Sequence, residues 1–331
     1  MKFKAVDLLP FDILLSVGRS MTPASSINPT LSCNIKRSTT ISPLPPELVH
    51  QVFHLAAASS RHSALDICLV ASWARRIALP HLFRAVVIRD IVAFSKFKKY
   101  IANPPYIPAN SDFLPASAVN GVWISGIGGY PILPVFESCD NVTHWAMGID
   151  LFSQLVRSVL NSPWQFNTCS LARKQDIRLT VTDYQTLNRV SGLTPLTSGI
   201  FDKVTYIRFT NTDAYETHNL SDFSRLSHVS LPYYGYHKAT QLQSFLDLKP
   251  LNMLVVSFDK AVVQVADLKR LEKWVRNKRK TDDRVYLVEC HRVYSSDDWN
   301  KEVGGGDNIW DRAVRYTHKW DRYHSDATAV K

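Results

Sequence analysis

The feature that most constrains what this chain can fold into is a three-position apolar pattern, i, i+3 and i+5, that returns along its length. It reads Phe83/Val86/Ile88, Val119/Val122/Ile124, Val142/Trp145/Met147, Val204/Ile207/Phe209, Leu226/Val229/Leu231, Leu251/Leu254/Val256 and Val285/Val288/Cys290, with a weaker copy from Ile177 to Val181. The copies are rich in β-branched residues, which suit strands. At 45% hydrophobic content the bare pattern is weak, and its weight comes from the helical stretches into which several copies run. Helical spacing appears at 91–102 (Ile91, Phe94, Phe97, Ile101), 150–160 (Leu151, Leu155, Val159), 239–248 (Leu242, Phe245, Leu246) and 264–279 (Leu268, Leu271, Val275). Strand then helix in fixed order, without hairpin turn signals, predicts parallel strands joined by right-handed crossovers.

Neighbouring copies are separated by steps that include 23, 22 and 25 residues, inside the roughly 20–29 residue period of leucine-rich repeats. The expected fold class is therefore α/β: a small helical cap at 43–81, then an irregular leucine-rich-repeat-like β/α solenoid with parallel strands over 82–325. In a horseshoe of this kind the residues between the buried positions of each strand line the concave wall. Trp123, Tyr206, Arg208, His228, Ser230 and Glu289 are the candidate substrate contacts there, beside Ser125, Ala146 and Ser257. Val255 and Leu287 share the wall and suit burial under a loop or second layer. Pro232-Tyr233-Tyr234-Gly235-Tyr236 is either a contact anchor or a partly buried strand end. A last helix carrying Ile309, Ala313, Tyr316 and Trp320 on one side would cap the final repeat.

The cap begins at Leu44-Pro45-Pro46-Glu47-Leu48, where the prolines lack an N–H that a first turn leaves unused and Glu47 favours the positive end of the helix dipole. Leu48, Val49, Val52, Phe53 and Ala56 form one apolar face of a first helix. A second helix is expected from Ser63, with Leu65, Leu69, Val70, Trp73 and Ile77 on one side and Pro80 as its stop. Two short helices of this kind need something to cover their stripes: a partner, or the rest of the chain.

LPPEL, an apolar helix, Cys68-Leu69-Val70-Ala71-Ser72-Trp73 and a Leu82-Phe83 close resemble an F-box over about one seventh of the chain. The resemblance implies docking on a Skp-type adaptor, and through it on a cullin–RING ubiquitin ligase complex. The matching positions are Leu44, Pro45, Glu47, Leu48, Val52 and Phe53, with Leu69, Val70 and Trp73 from the second helix. The Ala56–Ala64 stretch, AAASSRHSA, departs from the family's tighter acidic or proline-containing turn. Together with the irregular repeats and an Asp298-Trp299, Gly304-Gly305-Gly306, Trp310 tail, the order is similar to the large fungal families of F-box-like proteins. The resemblance implies a substrate receptor, with an unknown protein substrate bound by the repeats. A basic nucleic-acid-associated protein or other scaffold without a ligase role is the alternative.

That alternative rests on charge. The chain carries +10, and Asp267–Lys280 alone holds seven basic against two acidic residues. Such a run either contacts phosphates or is a solvated helix face. Five scattered cysteines without a C-x-x-C imply reduced thiols and a cytoplasmic or nuclear setting. No stretch of 18 apolar residues exists, so no membrane span is expected. The sequence has no H-E-x-x-H, G-x-S-x-G or P-loop spacing, and Gly126-Ile127-Gly128-Gly129 lacks the third glycine of a dinucleotide fingerprint. No enzyme, cofactor or metal is expected. Residues 1–42, polar and poor in core formers after a short amphipathic start, read as a lead-in, or as a helix over 3–16 packed elsewhere.

Overall fold

The computed structural model describes residues 44–103, 114–161, 176–182, 199–210, 220–235, 242–290 and 294–329, the side chains of 161, 221 and 324–329 apart. The lead-in expected over 1–42 lies outside them. The chain divides into two compact units, Met1–Leu82 and Phe83–Lys331.

The first unit holds three helices where two were expected: α1 (Pro46–Ser59), α2 (Arg61–Val70) and α3 (Ser72–Phe83). Ser60, rather than Ser63, caps α2, its hydroxyl accepting from the Ser63 N–H at 3.0 Å. Ala71 is extended (φ −163°, ψ 164°) and interrupts the expected second helix. Arg75 Nε donates to the Cys68 carbonyl at 3.1 Å, replacing the intrahelical N–H that the interruption removes. Pro80 does not stop α3, which continues to Phe83; placed in the last turns, it forfeits one hydrogen bond without ending the helix. The unit's core is built mainly from small side chains, Ala57, Ala64, Ala74 and Ala78, with Ile67, Cys68 and Leu82.

The second unit is an α/β structure around an open sheet of eight parallel strands in sequence order. These are β1 (Ala85–Ile88), β2 (Gly121–Ile124), β3 (His144–Met147), β4 (Ile177–Val181), β5 (Val204–Phe209), β6 (His228–Tyr233), β7 (Met253–Phe258) and β8 (Val285–Glu289). Between them run α4 (Ile91–Ala102), α5 (Pro115–Ala118), α6 (Leu133–Ser138), α7 (Ile149–Asn161), α8 (Gln243–Leu246) and α9 (Val265–Arg279). Because side chains alternate along a strand, one face of the sheet presents Ile88, Ile124, Met147, Leu179, Ile207, Val229 and Leu254. These join Phe94 and Phe97 of α4, Phe136 of α6, Leu155 of α7 and Leu271 and Val275 of α9 in one continuous core. The i, i+3, i+5 pattern is the trace of that face.

The opposite face is not an open wall. After β8 the chain forms α10 (Ser296–Val303) and α11 (Ile309–Ala329). Trp299 and Val303 of α10 pack on Ala85, Trp123 and Ala146, while Ile309 and Ala313 of α11 pack on Met253, Val255 and Val288. Gly121 makes the first contact possible, since a Cβ there would stand 2.8 Å from Val303 Cγ1 and 2.9 Å from Trp299 Cη2. Burial of Val255 beneath a second layer is thus explained.

The last strand also departs from the expected frame. Leu254 pairs with Val285 and Val256 with Leu287, so Val285 and Leu287 face the main core and Val288 the opposite side. A one-residue slip exchanges every side chain between faces, so Leu287 leaves the predicted wall and so does Glu289. Along β8, α11 covers the sheet edge. Thr317, fully buried, accepts from the Leu287 N–H at 2.8 Å and donates to its carbonyl at 3.1 Å, satisfying backbone groups that an edge strand leaves open. Phe258 meets Tyr316 edge-on at 6.0 Å on the far side of that edge.

Candidate functional site

In the helical unit, α1 carries two apolar stripes. Phe53, Ala56 and Ala57 turn into the bundle, whereas Leu48, Val52 and Leu55, at i, i+4 and i+7, turn out of it. Leu48 is 46%, Val52 58%, Leu69 68%, Val70 60% and Trp73 44% exposed. Phe53 and Trp73 touch edge-on with centroids 5.2 Å apart, which joins the inward side of α1 to the start of α3. Leu44, Pro45 and Glu47 are exposed as well. The fold therefore buries alanines and displays leucine, valine and tryptophan. Large apolar side chains on a small helical frame are the kind of surface that protein contacts use.

In the β/α unit, Trp123 lies beneath α10, its ring 5.8 Å from that of Trp299 and 6.3 Å from that of Tyr294. Arg208 is buried and forms a two-pronged ion pair, Nη1 to Glu302 Oε1 at 3.0 Å and to Oε2 at 3.2 Å. Its guanidinium also stacks 3.3 Å from the centre of the Tyr294 ring, and the Tyr294 hydroxyl donates to Glu302 Oε2 at 2.8 Å. Burial pushes the Tyr294 phenol well above its ordinary pKa. Ser230 is fully buried. Of the six predicted substrate contacts, Trp123, Arg208 and Ser230 are thus beneath the C-terminal helices. Glu289 is on the other side of the sheet and bonded to Lys260 Nζ at 2.5 Å.

Tyr206 and His228 remain partly exposed. They stack at 4.1 Å, and Trp310 meets both edge-on at 5.3 and 5.4 Å. They belong to a row running across the sheet through paired residues His144, Arg178, Tyr206 and His228. Arg178 lies 4.7 Å from the Tyr206 ring centre. Burial, then the positive charge of Arg178, holds His144 at about 4, with Arg84 adding to the effect and a hydrogen bond to the Asn120 backbone opposing it. Burial and Arg178 likewise hold His228 at about 4. Both imidazoles are neutral at pH 7, each with Nδ1 against the hydroxyl before it: Thr143 at 2.8 Å and Ser227 at 2.7 Å.

At the C-terminal ends of β5 to β8 opens a cleft of about 540 Å³, walled by Tyr233, Tyr234, Phe258, Tyr294, Lys301 and Arg312. Tyr294 and Glu302, which line this cleft, and Trp299 and Trp310, which line the smaller hollow on the sheet face, are not among the site residues that the sequence predicts. The readable signal was the capping box at α10, where Ser295 and Asp298 each bond the other's backbone N–H. It marks a helix start, with Trp299 and Val303 next on one side.

The basic stretch after Asp267 is partly spent on structure. Arg270 bonds Asp267 and Arg279 bonds Asp321, both at 2.8 Å, and the Arg276 guanidinium lies 5.7 Å from the Trp320 ring centre. Lys269, Lys273 and Lys280 remain exposed. Among the described residues no three His, Cys, Asp or Glu side chains converge to hold a metal ion. No helix among them is long and apolar enough to cross a membrane. A scan against protein-family models finds no match for this chain, and a search of curated proteins finds none either.

Proposed function

We propose that this chain is a non-enzymatic interaction protein of the F-box kind, a substrate receptor for a cullin–RING ubiquitin ligase. The helical unit docks a Skp-type adaptor, and the β/α unit holds a protein substrate. The observation that carries the reading is the outward display of Leu48, Val52, Leu69, Val70 and Trp73, the large side chains at F-box-like positions. A cap folded only to complete a core would turn them inward, since each costs roughly 1.5–3 kcal/mol to leave in water.

The substrate surface is moved from the middle of the sheet face, where α10 and α11 lie, to the cleft at the C-terminal strand ends. Its tyrosine walls, with Lys301 and Arg312 set among Asp259, Asp298, Glu302 and Asp307, suit recognition of a peptide with apolar and mixed-charge polar groups. The receptor needs no chemistry of its own. Tethering raises the effective concentration of a substrate lysine near the ligase.

The test is retention on an immobilised Skp-type adaptor. Wild type is expected to be retained, and Leu48→Asp with Val52→Asp is expected to pass through while keeping the wild-type circular dichroism spectrum. Equal retention of both, or of neither, would remove the adaptor reading.

A further inference from the structure

The row His144, Arg178, Tyr206 and His228 carries more positive charge than its surroundings neutralise. Two residues farther along the same face, Arg208 has both oxygens of Glu302 and a tyrosine ring besides. Among the described residues Arg178 has only the face of Tyr206, and no carboxylate lies within ion-pair distance of it. Arg84, just before β1, is in the same position: its Nε is buried and has no hydrogen-bond partner among the described residues. Both guanidiniums bear on His144 and disfavour its proton. Partly buried cations without counter-charge are costly, and folded proteins normally pair them or satisfy their N–H groups.

The space next to these groups is small and defined. A hollow of about 60 Å³ is lined by His144, Arg178, Tyr206, Asn308 and Trp310. It would hold roughly four waters by volume, which is also the size of one tetrahedral oxyanion. Gly305 stands over the neighbouring cation, a Cβ there lying 3.7 Å from Arg84 Nη2. Glu302 lines the far side of the hollow but is already held by Arg208 and Tyr294.

We propose that this hollow is an oxyanion site for phosphate, free or as a small monoester, with Arg178 supplying charge and forked N–H donors, the Asn308 amide a further one, and Arg84, outside the lining, adding positive charge from beside it. Arginine suits the task because its planar fork matches a phosphate edge. The site does not depend on the adaptor reading, since every residue in it belongs to the β/α unit.

The experiment uses the full chain in phosphate-free buffer, with thermal melting and calorimetry against inorganic phosphate, glycerol 3-phosphate and chloride at matched ionic strength. Phosphate is expected to raise Tm where chloride does not, and to move the His144 imidazole NMR titration upward as the anion offsets the two guanidiniums. Arg178→Gln is expected to abolish the phosphate response without lowering Tm in phosphate-free buffer, because it removes an uncompensated charge. Arg84→Gln is expected to weaken binding about two- to threefold, the loss of one positive charge beside the site and not of a direct contact. Tighter binding of glycerol 3-phosphate would assign a monoester, and equal or weaker binding the free ion. A chloride response equal to that of phosphate, or a full response in Arg178→Gln, would overturn the site. If that variant does not fold, the wild-type His144 shift and Arg84→Gln decide the question in the same way.

Discussion

The two units of this chain treat large apolar side chains in opposite ways. The β/α unit seals its largest ones, Trp145, Trp299, Phe97, Phe136 and Phe201, and spends two extra helices covering a second sheet face. The helical unit closes on alanines and leaves Leu48, Val52, Leu55, Leu69, Val70 and Trp73 in solvent. What differs is whether the described residues supply the cover, and an apolar face that they leave open is of the kind that contacts bury.

The largest expected effect lies where the β/α unit covers itself. Trp299→Ala removes the ring between Gly121 and Trp123, and a loss of about 3–5 kcal/mol in denaturant unfolding is expected. A loss under about 1 kcal/mol would mean α10 is a loose flap, and the contrast between the units would shrink.

Acid comes next. His144 and His228 are held at about 4 in the folded chain, against about 6.5 when unfolded. Between those values the unfolded state binds protons that the folded state refuses, so stability is complete above pH 6.5 and falls as pH drops toward 4. The loss is on the order of 3 kcal/mol for the pair after screening of these partly exposed rings. His144→Gln with His228→Gln should flatten the slope of urea midpoints between pH 6.5 and 4.5, and an unchanged slope would contradict the assignment.

Thr317→Val is smaller. It strands the Leu287 N–H and carbonyl at the β8 edge, an expected cost of roughly 2 kcal/mol. Amide exchange should quicken at β8 and remain slow at β4, and uniform exchange would deny α11 its role at the edge. Smallest is Leu48→Asp with Val52→Asp, which puts charge on exposed positions and should change stability by under about 0.5 kcal/mol. A loss several times larger would show these leucine and valine side chains to be core residues after all.

The strand frames were legible because the i, i+3, i+5 positions all serve one face, and α4 falls over 91–102 as its spacing predicts. At β8 the run Val285-Tyr286-Leu287-Val288 offers apolar groups to both faces, so spacing could not choose the frame. The choice is made by Ile309 and Ala313, which give Val288 a buried place. The covered wall was illegible for a related reason: its cover comes from α10 and α11, and a helix pattern does not say which surface it seeks. In the helical unit, Leu48, Val49, Val52, Phe53 and Ala56 span an arc broad enough for two stripes. Only the packing against α2 separates the inward Phe53 from the outward Val52.

The central claim is that the helical unit's exposed apolar face takes a Skp-type adaptor while the strands of the β/α unit are already covered on both faces. Hydrogen exchange of the full chain, with and without a Skp-type adaptor, tests it most directly. The account predicts new protection on amides between Leu48 and Trp73 and an unchanged pattern from β1 to β8. Protection confined to the strands, or absent everywhere at saturating adaptor, would contradict it.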